Sequence, residues 1–270
     1  MDKILILGAS GFIGGMLYKE LCNYYNTYGT YHTGKIYSDN KHYIHFDMDN
    51  DDVLPILMEL KPTIIISALR GNFESQVEAH LQITEYATKA KCKIIFLSSA
   101  NVFDAFSNYP SYEFDKTLSE SKYGRLKIKI ENMLMRLPKK NYVIVRLPMV
   151  FGKNSPRTIE LKSALENKEA YEVFPHLIIN VSSIDKLVLQ MHYIINRNKR
   201  GIYHLGSNDL VHHDEFIVDL AKKMGVEKPL LKRVYTSNFD RFLAVLPKDK
   251  LLPKHLQFTH LDIIDEFKIK

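Results

Sequence analysis

The sequence predicts a doubly wound α/β fold, in which a parallel sheet is covered by helices on both faces. Three observations predict it: short apolar runs, helical patterns between those runs, and a glycine-rich loop directly after the first run. Strands that are apolar nearly throughout are typical of parallel sheets buried on both faces. In such folds ligands bind at the carboxyl ends of the strands.

Predicted strands and helices alternate along the chain as far as residue 152, and one more strand is predicted near 201–207. The chain opens with the run KILILG, and Ile13, Leu17 and Leu21 share one face of the helix that follows. Lys61-Pro62 ends the second helix, because proline cannot continue it. The predicted strands are 3–8, 26–33, 42–47, 63–69, 92–99, 142–148 and 201–207. The predicted helices are 12–25, 52–60, 73–90 and 117–137.

The alternation loosens after residue 152, and this change predicts a second, smaller lobe. Residues 1–152 together with about 177–206 are expected to form the main domain. About 153–176 and 207–270 are expected to form the lobe that binds substrate, with helix and irregular chain in the tail. A length of 270 residues suits one large α/β domain with such an addition.

Composition excludes several classes of protein. The chain is 46% hydrophobic and 25% charged, which is typical of globular proteins. No apolar run approaches the roughly 18 residues that span a bilayer, and the start lacks the pattern of a signal peptide. Cys22 and Cys92 form no disulfide framework or CxxC pair, so a cytoplasmic location without membrane contact is expected. No sequence pattern predicts a metal site.

The net charge of +6 favours an anionic partner. The lysines are scattered, and no block of like charges forms a basic arm. We therefore expect a phosphorylated cofactor or a nucleotide-linked substrate rather than nucleic acid.

The loop GASGFIG carries the first functional pattern. Gly8, Gly11 and Gly14 follow a predicted strand and open a predicted helix. In dinucleotide sites such glycines permit a tight turn, a close approach to the pyrophosphate and close packing of helix on strand. The helix N-terminus then offers N–H groups to the anion. A turn that merely prefers glycine is the alternative, but the strand–helix context favours dinucleotide binding.

The end of the second strand distinguishes the two nicotinamide cofactors. An NAD site usually carries an acid about 20 residues after the loop, to hold the ribose 2′-hydroxyl. Here that place holds His32, Thr33 and Lys35, and Asp39 lies beyond the predicted strand end. These side chains suit a 2′-phosphate, so NADP(H) is favoured and NAD(H) remains possible. Alternatively, these residues form only an exposed polar loop, which would not distinguish the two cofactors.

Two further stretches indicate chemistry. FLSSANVFD (96–104) ends a central strand, and YGRLK (123–127) lies in a predicted helix. Tyr123 and Lys127 are i, i+4 neighbours on one helix face. Taken alone, Tyr123 and Lys127 could be a pair on the protein surface, and the serines that end the strand could simply be turn residues. One chain is much less expected to contain all three features by chance than any one of them: a glycine loop, a serine at a strand end and the Tyr123–Lys127 pair.

With these motifs the chain resembles the extended short-chain dehydrogenases/reductases, and most closely their dTDP-4-dehydrorhamnose reductase (RmlD-like) branch. GASGFIG, HFDMDN, IISAL, SSANVF, YGRLK, RLPMVFG, VSSIDKL and GIYHLG match landmarks of that family. Beside the glycines and the polar loop, the resemblance implies cofactor contacts from Ser10, Phe12, Ile13, Asp47, Met48, Ser67, Ala68, Leu69, Tyr123 and Lys127. The implied substrate contacts are Ser99, Asn101, Lys153 and Arg157.

The resemblance also implies an activity, the NADPH-dependent reduction of a 4-keto nucleotide sugar. Tyr123 would be the general acid, although a free phenol titrates near ~10. The Lys127 ammonium would lower the pKa of Tyr123 and bind the nicotinamide ribose. Ser99 would hydrogen-bond the carbonyl oxygen and the charge that develops on it.

Some stretches depart from the family pattern and leave alternatives open. Arg70 is unusual at the end of the fourth strand, where it could touch a phosphate or be a solvated loop residue. The tail at 234–253 lacks the branch's usual motif, so the substrate pocket is in question. Alternative functions are an epimerase or dehydratase that retains NAD, and a non-catalytic regulatory subunit that binds NADP. The family also implies a homodimer through the helices at 73–90 and 117–137.

Overall fold

The computed structural model describes residues 2–34 and 37–267. Its strands are β1 (Lys3–Leu7), β2 (Asn26–Tyr31), β3 (Tyr43–His45), β4 (Ile64–Ser67), β5 (Lys93–Ser99), β6 (Tyr142–Leu147), β7 (Met149–Phe151), β8 (Tyr171–Val173), β9 (Leu177–Ile179), β10 (Val181–Ser183), β11 (Gly201–His204), β12 (Val211–His212), β13 (Leu231–Arg233) and β14 (Arg241–Leu243). Its helices are α1 (Phe12–Leu21), α2 (Leu54–Leu60), α3 (Phe73–Lys89), α4 (Lys122–Met135), α5 (Pro156–Asn167), α6 (Ile184–Asn196), α7 (His213–Lys223) and α8 (His260–Asp265).

Seven of these strands form one parallel sheet, in the order β11-β6-β5-β4-β1-β2-β3. The order runs outwards in both directions from β1, and this confirms the predicted doubly wound α/β fold. Because the direction of winding reverses between β1 and β4, the carboxyl ends of these two strands open a crevice. The glycine loop follows β1 at this crevice.

Both faces of the sheet are covered by apolar side chains. Ile4 and Ile6 pack on one side with residues of α1 and α6, while Leu5 and Leu7 pack on the other with residues of α2, α3 and α4. All four side chains are fully buried. Successive residues of a strand point to opposite faces, so a strand covered on both sides must be apolar throughout. This explains the continuous apolar runs.

A third apolar cluster lies apart from the sheet. It contains buried residues of α5, α7 and α8, among them Leu161, Phe216 and Ile263. Two small sheets accompany it: β9 pairs with β12 and β14, and β8 pairs with β13. The cluster supports the proposal of a second lobe built after residue 152, and the pairing of β9 draws residues from about 177 into that lobe.

Several element bounds differ from the predicted ones. The fourth helix begins at Lys122 rather than 117, because Ser121 accepts a hydrogen bond from the Gly124 N–H and caps the helix there. The first helix ends at Leu21 rather than 25. Strands β13 and β14 lie in the predicted irregular tail, where partners distant in the sequence pair with them. No helix in the described part of the chain is long and apolar enough to cross a membrane.

A buried ion pair joins three neighbouring elements of the main sheet. Arg146 on β6 donates to both carboxylate oxygens of Glu131 on α4, with Nη2 2.7 Å from Oε2 and Nε 3.0 Å from Oε1. Ser98 on β5 donates to the same carboxylate at 2.5 Å. Arg146 also donates to the Glu113 carbonyl and faces Nε2 of His204. Every charge in this group therefore has hydrogen-bonding partners despite its burial.

Removing one partner of this ion pair should destabilise the fold strongly. We expect Glu131→Leu and Arg146→Met each to lower the free energy of unfolding by about 3–5 kcal/mol, because each leaves an uncompensated buried charge. The double variant should lose less free energy of unfolding than the two single variants together, since it leaves no unpaired charge. Denaturant unfolding of the four proteins measures this coupling. Additive losses would show that the two charges do not support each other.

Candidate active site

The glycine loop closes tightly over the start of α1. Gly8 has a φ of +82°, which favours glycine. A Cβ atom on Gly14 would lie 2.2 Å from the Gly8 carbonyl oxygen, so a larger residue would separate helix and strand. Gly11 is the N-cap of α1, and no side chain caps that first turn among the described residues. The N–H groups of the first turn therefore face the crevice without a side-chain acceptor.

A cleft of about 250 Å³ opens beside this loop. The predicted cofactor residues that line it are Gly8, Ser10, Gly11, His32, Asp47, Met48, Ala68 and Leu69. The lining also contains Arg70 and Asp49, which were not predicted as contacts. Eight predicted contacts, which follow the ends of four strands, thus converge on one crevice.

Other predicted cofactor residues lie elsewhere. The Ser67 hydroxyl is buried 2.9 Å from Nε2 of His80 and does not line the cleft. Thr33 is exposed beyond the end of β2. Phe12 and Ile13 are half-buried in the first turn of α1. Lys35 lies outside the described residues.

Asp47 supplies a carboxylate to the cleft. Its oxygens accept hydrogen bonds from the Asp49 N–H at 3.0 Å and the Asn50 side chain at 2.8 Å. These bonds lower the pKa of Asp47, the Asn50 bond most strongly, and nearby His32 lowers it further. His32 Nε2 lies 3.5 Å from Asp47 Oδ2. The predicted phosphate ligand His32 therefore faces an acid that comes from the segment after β3.

Ser99 ends β5 and begins a 3₁₀ turn over Ala100–Phe103. Its hydroxyl lies 2.9 Å from the Asn101 side-chain oxygen and accepts from the Asn101 N–H at 3.3 Å. The strand end holds the hydroxyl at the carboxyl edge of the sheet, half-exposed. Asn101, a predicted substrate contact, thus orients the predicted catalytic serine.

Tyr123 reaches this serine because α4 packs unusually close to the 3₁₀ turn. A Cβ atom on Gly124 would lie 2.2 Å from the Asn101 carbonyl oxygen and 2.1 Å from Ser119 Oγ. No side chain fits in that space. The hydrogen bond from the Ser99 side chain acts on Tyr123 and lowers its pKa.

The net pKa of Tyr123 is nevertheless raised. Burial is the largest cause, and Arg70, the bond with Ser99 and Arg157 act against it. The expectation that Lys127 lowers this pKa stays a prediction, because burial sets the direction of the net shift. The Lys127 ammonium donates to the Leu97 carbonyl at 3.1 Å and lies 5.5 Å from the centre of the Tyr123 ring.

Lys127 is itself held in an apolar surrounding. It is buried, and its ammonium lies 4.6 Å from the centre of the Phe96 ring. Burial lowers the pKa of Lys127 to about 8, although the Glu131 carboxylate raises it and Arg70 lowers it further. Lys127 thus titrates far closer to neutrality than an exposed lysine, near ~10.4.

Two predicted substrate contacts, Lys153 and Arg157, lie at or just before the first turn of α5. Arg157 is exposed there, and its charge lowers the pKa of Tyr123 and of Tyr171. It also acts on His213, whose pKa is lowered to about 4 mainly by burial. The structure therefore brings the predicted contact Arg157 towards Tyr123 from the other lobe. Lys153 is exposed, and no electrostatic effect ties it to this group.

Three residues that shape the site were not predicted as site residues. Gly124 inside the YGRLK motif signals close packing, since glycine weakens a helix unless its missing side chain is needed. Glu131 lies one turn beyond Lys127, so helical spacing could have linked the two. Arg70 was recognised as unusual, but its place beside the cleft depends on the fold.

Gly124→Ala tests the close contact of α4 with the serine turn. In an open helix this change stabilises by about 1 kcal/mol. Here we expect it to lower the free energy of unfolding by about 1–3 kcal/mol, because the added methyl group has no space. Lys129→Ala on the exposed face of α4 is the control and should be nearly neutral. A higher free energy of unfolding for Gly124→Ala would contradict the close contact of α4 with the serine turn.

Comparison with known proteins relates this geometry to a family. The chain is 23% identical to dTDP-4-dehydrorhamnose reductase of Aggregatibacter actinomycetemcomitans, across 93% of this chain and 90% of the relative. It is 21% identical to the Bos taurus protein methionine adenosyltransferase 2 subunit beta, across 87% of this chain and 76% of the relative.

The fold also matches a solved structure, Bacillus anthracis dTDP-4-dehydrorhamnose reductase in complex with NADP. The TM-score is 0.80 at 18% identity, with 98% of both chains covered. The sequence model of the RmlD substrate binding domain matches residues 2–248. That match takes in the glycine loop, the serine turn, the Tyr123–Lys127 pair and most of the smaller lobe. The chain belongs to the RmlD substrate binding domain family.

Proposed function

We propose that this protein is an NADPH-dependent reductase of a 4-keto nucleotide sugar, of the dTDP-4-dehydrorhamnose type. The observation that carries the proposal is the convergence of Ser99, Tyr123 and Lys127 at one edge of the sheet, beside the cleft of the glycine loop. Membership of the RmlD substrate binding domain family and the named reductase among the relatives support it.

The cleft fits a nicotinamide dinucleotide. The glycine loop leaves the first turn of α1 uncapped among the described residues, which is the arrangement that binds a pyrophosphate. Asp47 and Met48 are suited to the adenosine end. The bound cofactor would supply the hydride. The polar residues after β2 and the NADP-bound B. anthracis structure favour NADP(H), while the Asp47 carboxylate keeps NAD(H) possible.

Tyr123 would supply the proton. Its raised pKa keeps the phenol protonated at neutral pH, which a general acid requires. About 40% of the Tyr123 surface is exposed, so a ketone oxygen can approach the hydroxyl. Ser99 would turn its hydroxyl hydrogen, which it donates to Asn101 in this structure, to that oxygen and to the negative charge that develops on it.

Lys127 would stabilise the phenolate that remains on Tyr123 after proton transfer. Its ammonium is fixed by the Leu97 carbonyl and lies one helical turn from the phenol. In such apolar surroundings a charge at this distance acts more strongly than in water. We assign Lys127 the further role of binding the nicotinamide ribose.

The start of α5 is suited to the diphosphate of a nucleotide sugar. Arg157 and Lys153 lie near the first turn of this helix, whose N-terminus favours anions. Arg157 also acts electrostatically on Tyr123, so a group bound there would lie near the proton donor. The two sequence-predicted contacts of this region, together with Asn101, remain part of the proposal, and so does the homodimer.

A second candidate is a non-catalytic subunit that binds NADP. The similarity to a subunit named for methionine adenosyltransferase favours it. The intact trio of Ser99, Tyr123 and Lys127 favours the enzyme.

Titration with NADPH and with NADH, followed by an assay on dTDP-4-dehydrorhamnose, tests the proposal. Reversible binding that prefers NADPH, with turnover, supports the reductase. Binding without turnover on 4-keto nucleotide sugars would support the subunit, and NAD retained through purification would support an epimerase.

Tyr123→Phe should separate binding from chemistry. The variant keeps the ring but loses the proton donor, so we expect turnover to fall by about 10²–10⁴-fold, the usual contribution of a general acid. Affinity for NADPH should stay close to that of the unaltered protein. Steady-state rates and fluorescence titration measure the two effects. Turnover at the unaltered rate would show that another group supplies the proton.

Turnover should fall as pH rises through about 8, because Lys127 then loses its charge. Below this value the ammonium is present and supports phenolate formation. The raised pKa of Tyr123 keeps the phenol protonated over the same range, so the basic limb belongs to Lys127. The pH profile of kcat/KM, which reports ionisations of the free protein, checks this. A flat profile up to pH 10 would exclude the role given to Lys127.

A further inference from the structure

Arg70 lines the cofactor cleft. It lies three residues after the end of β4, on a loop that contacts the glycine loop and Met48. A Cβ atom on Gly8 would lie 2.8 Å from the Ala68 carbonyl oxygen, and one on Gly71 would lie 3.5 Å from Met48 Cε. Arg70 itself lines the cleft between these two contacts. The fold therefore brings an arginine next to the glycine loop.

Few groups around the cleft could neutralise an anionic ligand. Among the described residues that line the cleft, Asp47 and Asp49 are acidic, and Arg70 is the only arginine or lysine. His32 faces the Asp47 carboxylate. A dinucleotide would bring two or more phosphate charges into this space. Helix α1 alone contributes only about half a unit of positive charge at its N-terminus.

Arg70 is also free to bind. Its side chain is exposed, and it has neither an ion pair nor a hydrogen bond within the ranges that the structure describes. Yet its charge lowers the pKa of both Tyr123 and Lys127. An arginine that lines the cleft and acts on the catalytic pair lies between the adenosine end and the nicotinamide end. The pyrophosphate of a dinucleotide crosses this middle region.

We propose that Arg70 binds the pyrophosphate of the dinucleotide, from the side of the cleft opposite the first turn of α1. The guanidinium offers parallel N–H donors that match two phosphate oxygens. The pyrophosphate would thus be held between helix N–H groups on one side and a full charge on the other. This inference rests on the dinucleotide site of the proposed function, but it does not depend on the identity of the substrate.

The test is fluorescence titration with NADPH and with NADH on the unaltered protein, Arg70→Met and Arg70→Lys. Loss of a charge-assisted hydrogen bond should raise the Kd of Arg70→Met about ten- to a hundredfold for both cofactors. The affinities for NADPH and NADH should fall by the same factor, because both cofactors carry the pyrophosphate. Arg70→Lys should recover part of the affinity. Arg136→Met removes the same charge from the exposed end of α4 and serves as the control.

The possible outcomes separate this proposal from its alternatives. A loss of affinity for NADPH but not for NADH would assign Arg70 to the 2′-phosphate and overturn the proposal. Unchanged cofactor affinity with a raised KM for the nucleotide sugar would assign Arg70 to the substrate and also overturn it. An equal loss for both cofactors would support it even if no 4-keto sugar is reduced, so failure of the reductase is distinguishable. No dinucleotide binding by the unaltered protein would overturn both.

Discussion

The buried pair of Arg146 and Glu131 is the interaction on which the site depends. Neither charge can be left without a partner in the interior, so β5, β6 and α4 must keep one relative position. Two residues of this network, Ser98 and Glu131, lie close in sequence to functional residues. Ser98 precedes Ser99 in β5, and Glu131 lies one turn beyond Lys127 and raises its pKa. The ion pair thus fixes the distance between the strand-end hydroxyl and the helix that carries Tyr123.

The same network extends to the end of the chain. Arg146 donates to the Glu113 carbonyl, and the Glu113 carboxylate accepts the backbone N–H groups of Lys248, Asp249 and Lys250. The tail segment that departs from the family pattern is therefore tied to the segment after the serine turn. A change in either segment would reach the other through one carboxylate.

The sequence was sufficient to predict the fold and to name candidate residues for the site, because both depend on local patterns. Continuous apolar runs indicated strands buried on both faces, and GASGFIG lay in a strand–helix context. Distances across the fold could not be predicted. The acid that faces His32 is Asp47, which comes from the segment after β3. The charges that act on Tyr123 come from Arg70 and Arg157, about 50 and 30 residues away in the sequence. Helical spacing alone pointed to Lys127.

These two arginines give the site a link between binding and chemistry. Burial raises the pKa of Tyr123, whereas Arg70 and Arg157 lower it. Both arginines are exposed, and both are proposed to bind phosphate groups. A phosphate bound at either one would offset its charge and weaken its effect on Tyr123. The phenol would then be more firmly protonated in the ternary complex than in the free protein. The proton would leave Tyr123 only when charge develops on the ketone oxygen, which Ser99 and Lys127 are placed to stabilise.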